Sequence, residues 1–376
     1  MAKPLYFDYA ATTPLDPAVI AAMQSCLGIE GDFGNPSSLH YYGAAAANRI
    51  ELARQQIADC INAEPREIVF TSGATEANNL AIKGLALAYQ AKGKHIITCQ
   101  TEHKSVLEPC RYLETLGFEV TYLPVLSNGL IDSEQLKAAI RMDTILISIM
   151  QVNNEIGVIQ GLAAMADLAH QHNIVFHSDA AQSIGKLQID VKALGVDALS
   201  LSAHKAYGPK GIGILYINRP KIQITPQLHG GGHEYQLRPG TLPTHQIVGM
   251  AEACLLAEQG FSEEFARISD LKAKMWRGLQ QLPTISLNGS LEHAVPHILN
   301  VSFSGINAEI VNGIMQAKLA VASGAACDSN HPEPSHVLIA LGISSPLIES
   351  SIRFSMGRYT TESDINHALE WISTQF

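Results

Sequence analysis

Apolar residues along this chain gather into short β-rich runs that alternate, from about residue 64, with stretches of helical period. The runs Glu67-Ile-Val-Phe-Thr71, His95-Ile-Ile-Thr-Cys99, Glu119-Val-Thr-Tyr-Leu123, Thr144-Ile-Leu-Ile-Ser148, Ile174-Val-Phe-His177, Ala198-Leu-Ser-Leu-Ser202 and Gly213-Ile-Leu-Tyr-Ile217 have the length and apolar content of buried strands. Between them, 74–91, 104–116 closed by Gly117, and 133–141 read as helices, the last opening on Asp132 and Gln135 at capping-box spacing. Such alternation predicts an α/β fold: a mostly parallel sheet of seven strands with helices over both faces. Ahead of the sheet, Ile50, Ala53, Ile57 and Ile61 recur at helical spacing in a helix that begins near Ser38.

After about residue 245 the pattern changes. A long helical stretch, His245 to Leu282, leads into Ile298-Leu-Asn-Val-Ser-Phe303, Ser351-Ile-Arg-Phe-Ser355 and a closing helix to Phe376, the makings of a smaller α+β domain. The expected division is a large domain over 15–245 and a small domain built from 1–14 and 246–376. There is no internal repeat, and no Pro/Gly/Ser linker longer than a turn, so the two should pack closely and shape a cleft.

Composition narrows the function classes. A chain of 376 residues exceeds what one hydrophobic core usually spans, about 100–200 residues, and 47% apolar with 16% charged residues suits a compact globular protein. The formal net charge of -10 gives phosphate backbones and anionic membranes no overall attraction, so neither nucleic acid nor membrane is expected as a direct partner. The N-terminal Met1-Ala-Lys-Pro-Leu-Tyr-Phe-Asp8 lacks a secretory apolar region and no apolar run approaches the ~20 residues of a spanning helix, which places the chain in the cytoplasm. Its six cysteines show no C-x-x-C pair or repeated spacing, so any functional cysteine acts alone.

Chemistry concentrates at strand ends. Ser202-Ala-His-Lys205-Ala-Tyr-Gly-Pro-Lys-Gly211 sets Lys205 between two apolar strands, where an amine loses hydration and becomes nucleophilic, as Schiff-base formation requires; a solvated loop lysine is the plain alternative. The strand at 174–177 runs into Asp179, with Gln182 three residues on. A buried carboxylate keeps a pyridinium nitrogen protonated, and a lysine with an Asp partner is the pattern that pyridoxal phosphate needs; the bland use of Asp179 is as a helix N-cap. Thr71-Ser-Gly-Ala-Thr75-Glu76 offers a glycine turn and free helix amides for a phosphate, with hydroxyls at Ser72 and Thr75, though the same residues also serve as simple capping. Cys327 lies in Ser323-Gly-Ala-Ala-Cys-Asp-Ser-Asn-His-Pro-Glu-Pro334, too polar and too rich in Gly and Pro for core, and fit for a loop over about 322–334 with an accessible thiol. Cys60, Cys99 and Cys254 sit in apolar patterns and read as structural, while Cys26 and Cys110 stay open. In His229-Gly-Gly-Gly-His233 the glycines oppose the helix that would pair the imidazoles, so no metal site is expected.

Taken together, these segments resemble the cysteine desulfurases, pyridoxal-phosphate enzymes of the class-V aminotransferase branch with an aspartate-aminotransferase-like fold. The resemblance runs nearly end to end, through Tyr6-Phe-Asp-Tyr-Ala-Ala-Thr-Thr-Pro14, Gly34-Asn-Pro-Ser-Ser-Leu-His40, Ser72-Gly-Ala-Thr-Glu76, Thr101-Glu-His-Lys104, Val152-Asn-Asn-Glu-Ile-Gly157, Asp179-Ala-Ala-Gln182, the lysine segment, Arg238-Pro-Gly-Thr241, Ser323-Gly-Ala-Ala-Cys327 and Ser351-Ile-Arg-Phe354. It implies Lys205 as the Schiff-base lysine, Asp179 as the pyridinium partner, Gln182 as donor to the ring hydroxyl and His103 as the group stacked on the ring and moving protons. It further implies Thr75, Ser202 and His204 as phosphate ligands with Ala74 in the same cofactor-binding set, and Thr241 as a ligand reaching the phosphate from the other subunit of a homodimer. Asn154 would touch both cofactor and substrate, and Arg353, as a bidentate fork, would grip the substrate carboxylate, with Asn35 assisting. The implied reaction converts L-cysteine to L-alanine and leaves sulfur as a persulfide on Cys327 for an acceptor protein, a scaffold or a sulfur relay. Iron–sulfur cluster assembly, tRNA thiolation, cofactor thiolation and DNA phosphorothioation all begin this way. Selenocysteine lysis, transamination or a silent binding homologue are the rival readings. The chain departs from some relatives at Ala203, at Pro239, and in closing at Phe376 without the C-terminal extension that helps them dock a scaffold.

Overall fold

The computed structural model describes residues 3–219, 221–323, 325–326 and 333–376. After a short β1 (Leu5–Tyr6) come the strands of the large sheet, β2 (Ile68–Thr71), β3 (His95–Cys99), β4 (Glu119–Leu123), β5 (Thr144–Ser148), β6 (Val175–Asp179), β7 (Ala198–Ser202) and β8 (Gly213–Ile217). They lie in the order β2-β8-β7-β6-β5-β3-β4. All neighbours are parallel except β8, which runs against both β2 and β7. The expected α/β sheet of seven strands is therefore present.

Successive residues of these strands feed two separate apolar layers. Ile97, Ile147, Phe176, Leu199 and Ile214 pack with Ile50, Ile57, Ile247 and Met250 on one face, while Ile96, Leu146, Val175, Ala198 and Leu215 pack with Leu80, Leu85, Val106 and Leu113 on the other. Burial on both faces is why β2, β5 and β8 read as nearly unbroken apolar runs rather than alternating ones. Each fully buried Ile or Phe contributes about 1.5–3 kcal/mol of transfer free energy, so these layers dominate stability.

The remaining strands, β9 (Ile285–Leu287), β10 (Ile298–Phe303), β11 (Leu319–Ala320), β12 (Ala322–Ser323), β13 (Ala325–Ala326), β14 (Glu333–Pro334) and β15 (Ser351–Ser355), build the second unit. Its antiparallel sheet runs β12-β15-β10-β9, and its core joins Phe303, Phe354, Met275 and Ile372 to Phe7 from the N-terminus.

Two details differ from the sequence reading. The stretch His245–Leu282 is two helices, Thr244–Gln259 and Phe261–Leu279, that meet at Gly260. The first buries Ile247, Met250 and Cys254 in the large-sheet core. Asp132 caps the helix Ser133–Ala139 by accepting from Glu134 N at 3.0 Å, with no return bond from Gln135 among the described residues.

Parallel strands bring their C-terminal ends to one edge of the sheet. Thr71, Cys99, Ser148, Asp179 and Ser202 all end strands there, and the loops beyond them form the site.

Candidate active site

A cavity of about 650 Å³ opens at this edge, lined by Ala74, Thr75, His103, Asn154, Asp179, Gln182, Ser202, His204, Lys205 and Arg353 among others. Ten of the residues singled out in the sequence thus meet in one place. Asn35 and Thr241 do not line it: Asn35 closes an Asx turn by accepting from Ser37 N at 3.0 Å, and Thr241 is exposed ahead of the helix Thr244–Gln259. Cys327 lies outside the described residues. The strands that flank it are β12, paired to β15 with Ala322 opposite Arg353, and the β13–β14 pair.

Lys205 ends the short 3-10 turn Ala203–Lys205 that follows β7. Desolvation lowers its ammonium to about 8; Asp179 opposes that shift and Arg353 reinforces it. The neutral amine, which is the nucleophilic form, is therefore a minority near pH 7, but a far larger one than for a solvated lysine. His204 is held down to about 4, mainly by burial and then by Lys205, so its imidazole is neutral, with Nδ1 3.2 Å from Thr12 Oγ1.

Asp179 ends β6 and is only 4% exposed. Its Oδ1 accepts from Ala181 N at 2.9 Å and its Oδ2 from Asn78 Nδ2 at 2.7 Å. The same Asn78 amide donates to Ser105 Oγ at 2.8 Å, and Ser105 Oγ lies 2.8 Å from His103 Nδ1. Since that hydroxyl accepts from Asn78, its own proton is free for Nδ1. Nδ1 also accepts from Ser105 N at 3.0 Å, which makes His103 the N-cap of the helix Lys104–Thr115. An acceptor at Nδ1 puts the proton of neutral His103 on Nε2. Burial lowers the pKa of this imidazole, with Asp179 opposing, so the neutral form with Nε2–H is the resting one.

Arg353 on β15 donates from Nη2 to Asp8 Oδ1 at 2.7 Å and from Nη1 to Asn154 O at 2.8 Å. Its Nε is buried and has no hydrogen-bond partner among the described residues. The guanidinium is therefore aimed by two anchors while keeping unused donors, as a carboxylate ligand requires. On the opposite side, the helix Ala74–Tyr89 starts after Gly73, whose φ of +152° suits glycine alone and lets the chain turn sharply from β2. Its first-turn amides have no carbonyl one turn back, and Ala74, Thr75, Ser202 and His204 line the cavity there, where they would make a cradle for a phosphate.

These donors fit pyridoxal phosphate. The helix N-terminus would hold the phosphate, the buried Asp179 carboxylate would face a ring nitrogen, and the Lys205 amine would take an aldehyde. The site also holds residues that the sequence did not single out: Asn78, Ser105 and Asp8, which position others, and Glu102, completely buried and next to His103 in the chain, its carboxyl pushed up mainly by desolvation. Nothing local marks Asn78 and Asp8, because their partners Asp179 and Arg353 are distant in sequence.

The class-V aminotransferase family model matches residues 5–367. The cysteine desulfurase IscS of Proteus mirabilis is 56% identical over 375 residues, 99% of this chain and 92% of its own length. The chain belongs to the cysteine desulfurase family. That of Escherichia coli is 54% identical over the same shares. Among solved structures, a NifS-like protein overlays with a TM-score of 0.92 at 36% identity, covering 99% of each chain. The structure titled SspA in complex with cysteine overlays at 0.84 with 41% identity, covering 95% of this chain and all of that one. Enzymes of this family use pyridoxal phosphate, in accord with the donor set of the cavity.

Five cysteines are described and all are free thiols. Burial pushes Cys99, Cys110 and Cys254 up to about 12 and Cys60 beyond that range, so each stays protonated and inert. Cys26, left open from the sequence, is 3% exposed on the helix-packed side of the large unit.

Proposed function

We propose that this chain withdraws sulfur from L-cysteine, releases L-alanine and carries the sulfur as a persulfide on Cys327, with pyridoxal phosphate held on Lys205. One observation carries the reading: a lysine, a carboxylate, an imidazole and a guanidinium from four separate segments line the same cavity. Identity of 56% to a named cysteine desulfurase supports the substrate.

Pyridoxal phosphate, when bound, supplies an aldehyde for amines and a ring that accepts the electron pair of the substrate Cα–H bond. Asp179 holds a fixed negative charge at the ring nitrogen's place, and its two donors, Asn78 and Ala181 N, keep it oriented without neutralising it. Arg353 and Asn154 bind the substrate carboxylate, which turns Cα toward the Lys205 amine. Lys205 takes the Cα proton. His103 Nε2 exchanges protons with the substrate thiol. The Cys327 thiolate then attacks the substrate sulfur: the new S–S bond forms as the Cβ–S bond breaks, and the electron pair left on carbon is protonated to the methyl group of alanine.

Cys327→Ser is expected to bind pyridoxal phosphate and cysteine and to release no alanine beyond background. Turnover at the parental rate would remove Cys327 from the reaction.

We also propose a homodimer in which Thr241 completes the phosphate cradle of the other subunit. The support is that Thr241 is exposed on its own chain, while Arg238 of the same segment donates to Glu76 Oε1 at 2.8 Å at the cradle's edge. Sedimentation should give twice the mass of 40.5 kDa, and a monomer with full cofactor occupancy would contradict it. The sulfur acceptor is a protein, and the free thiols suit the reducing cytoplasm, which cell fractionation checks.

A further inference from the structure

Beyond Asp179 the chain folds back in tight turns, with Ser183 N donating to Ala180 O at 2.9 Å and Lys186 N to Ser183 O at 3.0 Å. These turns return Lys186 to Gln182, and only 5% of Lys186 remains exposed. The hydrogen-bond acceptor of its ammonium among the described residues is Gln182 Oε1. No carboxylate pairs with it in the described residues: Glu264, the acidic group nearby, is bound to Arg358 at 2.8 Å. The other titratable groups around the small cavity at Lys186 are Lys205, Tyr9, Tyr207 and His297, the last buried with both ring nitrogens unpartnered. Desolvation lowers Lys186 to about 7, and Lys205 and Arg353 add to the shift. Such a placement is unfavourable unless the lysine serves the group it touches.

An ammonium only donates, and a backbone carbonyl only accepts. Lys186 therefore requires the oxygen end of the Gln182 amide, while Ala10 O, 2.8 Å from Nε2, requires the nitrogen end. Held from both ends, the amide has one orientation. Among the described residues one N–H of Gln182 has no acceptor, on a residue that lines the cavity beside Asp179 and Lys205.

We propose that Lys186 is a positioning residue, fixing the Gln182 amide so that this N–H donates to a ring oxygen of the bound cofactor. The proposal rests on the cavity being the pyridoxal-phosphate site. Without Lys186 only Ala10 opposes a turn of the amide, and a turned amide sets its oxygen against the lone pairs of that ring oxygen.

The test is a double-mutant cycle on equilibrium binding of pyridoxal phosphate to the cofactor-free full chain, using Lys186→Met and Gln182→Ala. Each single variant is expected to weaken binding roughly 5- to 10-fold, the value of one hydrogen bond. With Gln182→Ala already present, Lys186→Met should change binding less than about twofold, because its effect runs through that amide. An equal loss in both backgrounds would overturn the proposal, since a mere packing defect ignores Gln182. Should Lys186→Met fail to fold, Lys186→Leu, which also lacks a donor, enters the same cycle with the same two outcomes. A parental chain that binds no pyridoxal phosphate would defeat the cofactor reading itself and the proposal with it, a result distinct from an additive cycle.

Discussion

Lys205→Ala is expected to lose at least about 10³-fold in alanine formation, since in the proposed reaction one side chain both holds the cofactor and transfers the Cα proton, and general acid–base catalysis alone is worth ~10²–10⁴. The structure makes this residue's role specific. A second lysine, Lys210, also lines the cavity but is exposed, whereas the ammonium of Lys205 is brought down to about 8 by the loss of its hydration. Borohydride should therefore fix the cofactor to the peptide that carries Lys205 and leave the Lys205→Ala chain unlabelled. Label retained at Lys210, or cysteine turned over at the parental rate, would refute the assignment.

Asp179→Asn carries the second large effect, and here charge rather than shape decides. The amide keeps the size and a hydrogen bond to Ala181 N, and Asn78 can turn its own amide to accept from it, because Asn78 Oδ1 has no partner at present. The fold and cofactor binding should survive. What disappears is the negative charge at the ring nitrogen, and electrostatic stabilisation of this kind is worth about 3–4 kcal/mol, or ~10²–10³ in rate. We expect proton removal from Cα to slow by that factor in rapid-mixing experiments, with substrate still bound and the persulfide delayed. An unchanged rate of Cα proton removal would leave Asp179 a structural cap.

How legible this was depended on sequence distance. Lys205, Asp179 and the Thr71–Glu76 turn were visible because each sits where an apolar run stops, and a sheet buried on both faces writes its strands as such runs. The role of Asp8 was invisible, since its ion pair with Arg353 spans 345 residues and no local pattern requires it. Asn78 and Ser105 looked like ordinary helix residues; only the packing of the helices Ala74–Tyr89 and Lys104–Thr115 against each other links them to Asp179 and His103. The break at Gly260 was missed because both flanking helices keep an apolar period through it, and the three-residue β9 is too short to carry a period. Nothing in the local sequence marks Lys186, whose buried bond to Gln182 appears only in the structure.

The central claim is that sulfur from cysteine ends on Cys327. Purified protein loaded with pyridoxal phosphate, incubated with L-cysteine in the absence of reductant and then digested for mass spectrometry, tests it directly. The account predicts alanine in the supernatant and a gain of one sulfur atom on the peptide that contains Cys327, removed by dithiothreitol. Alanine released with the extra sulfur on another cysteine, or on none, would contradict it.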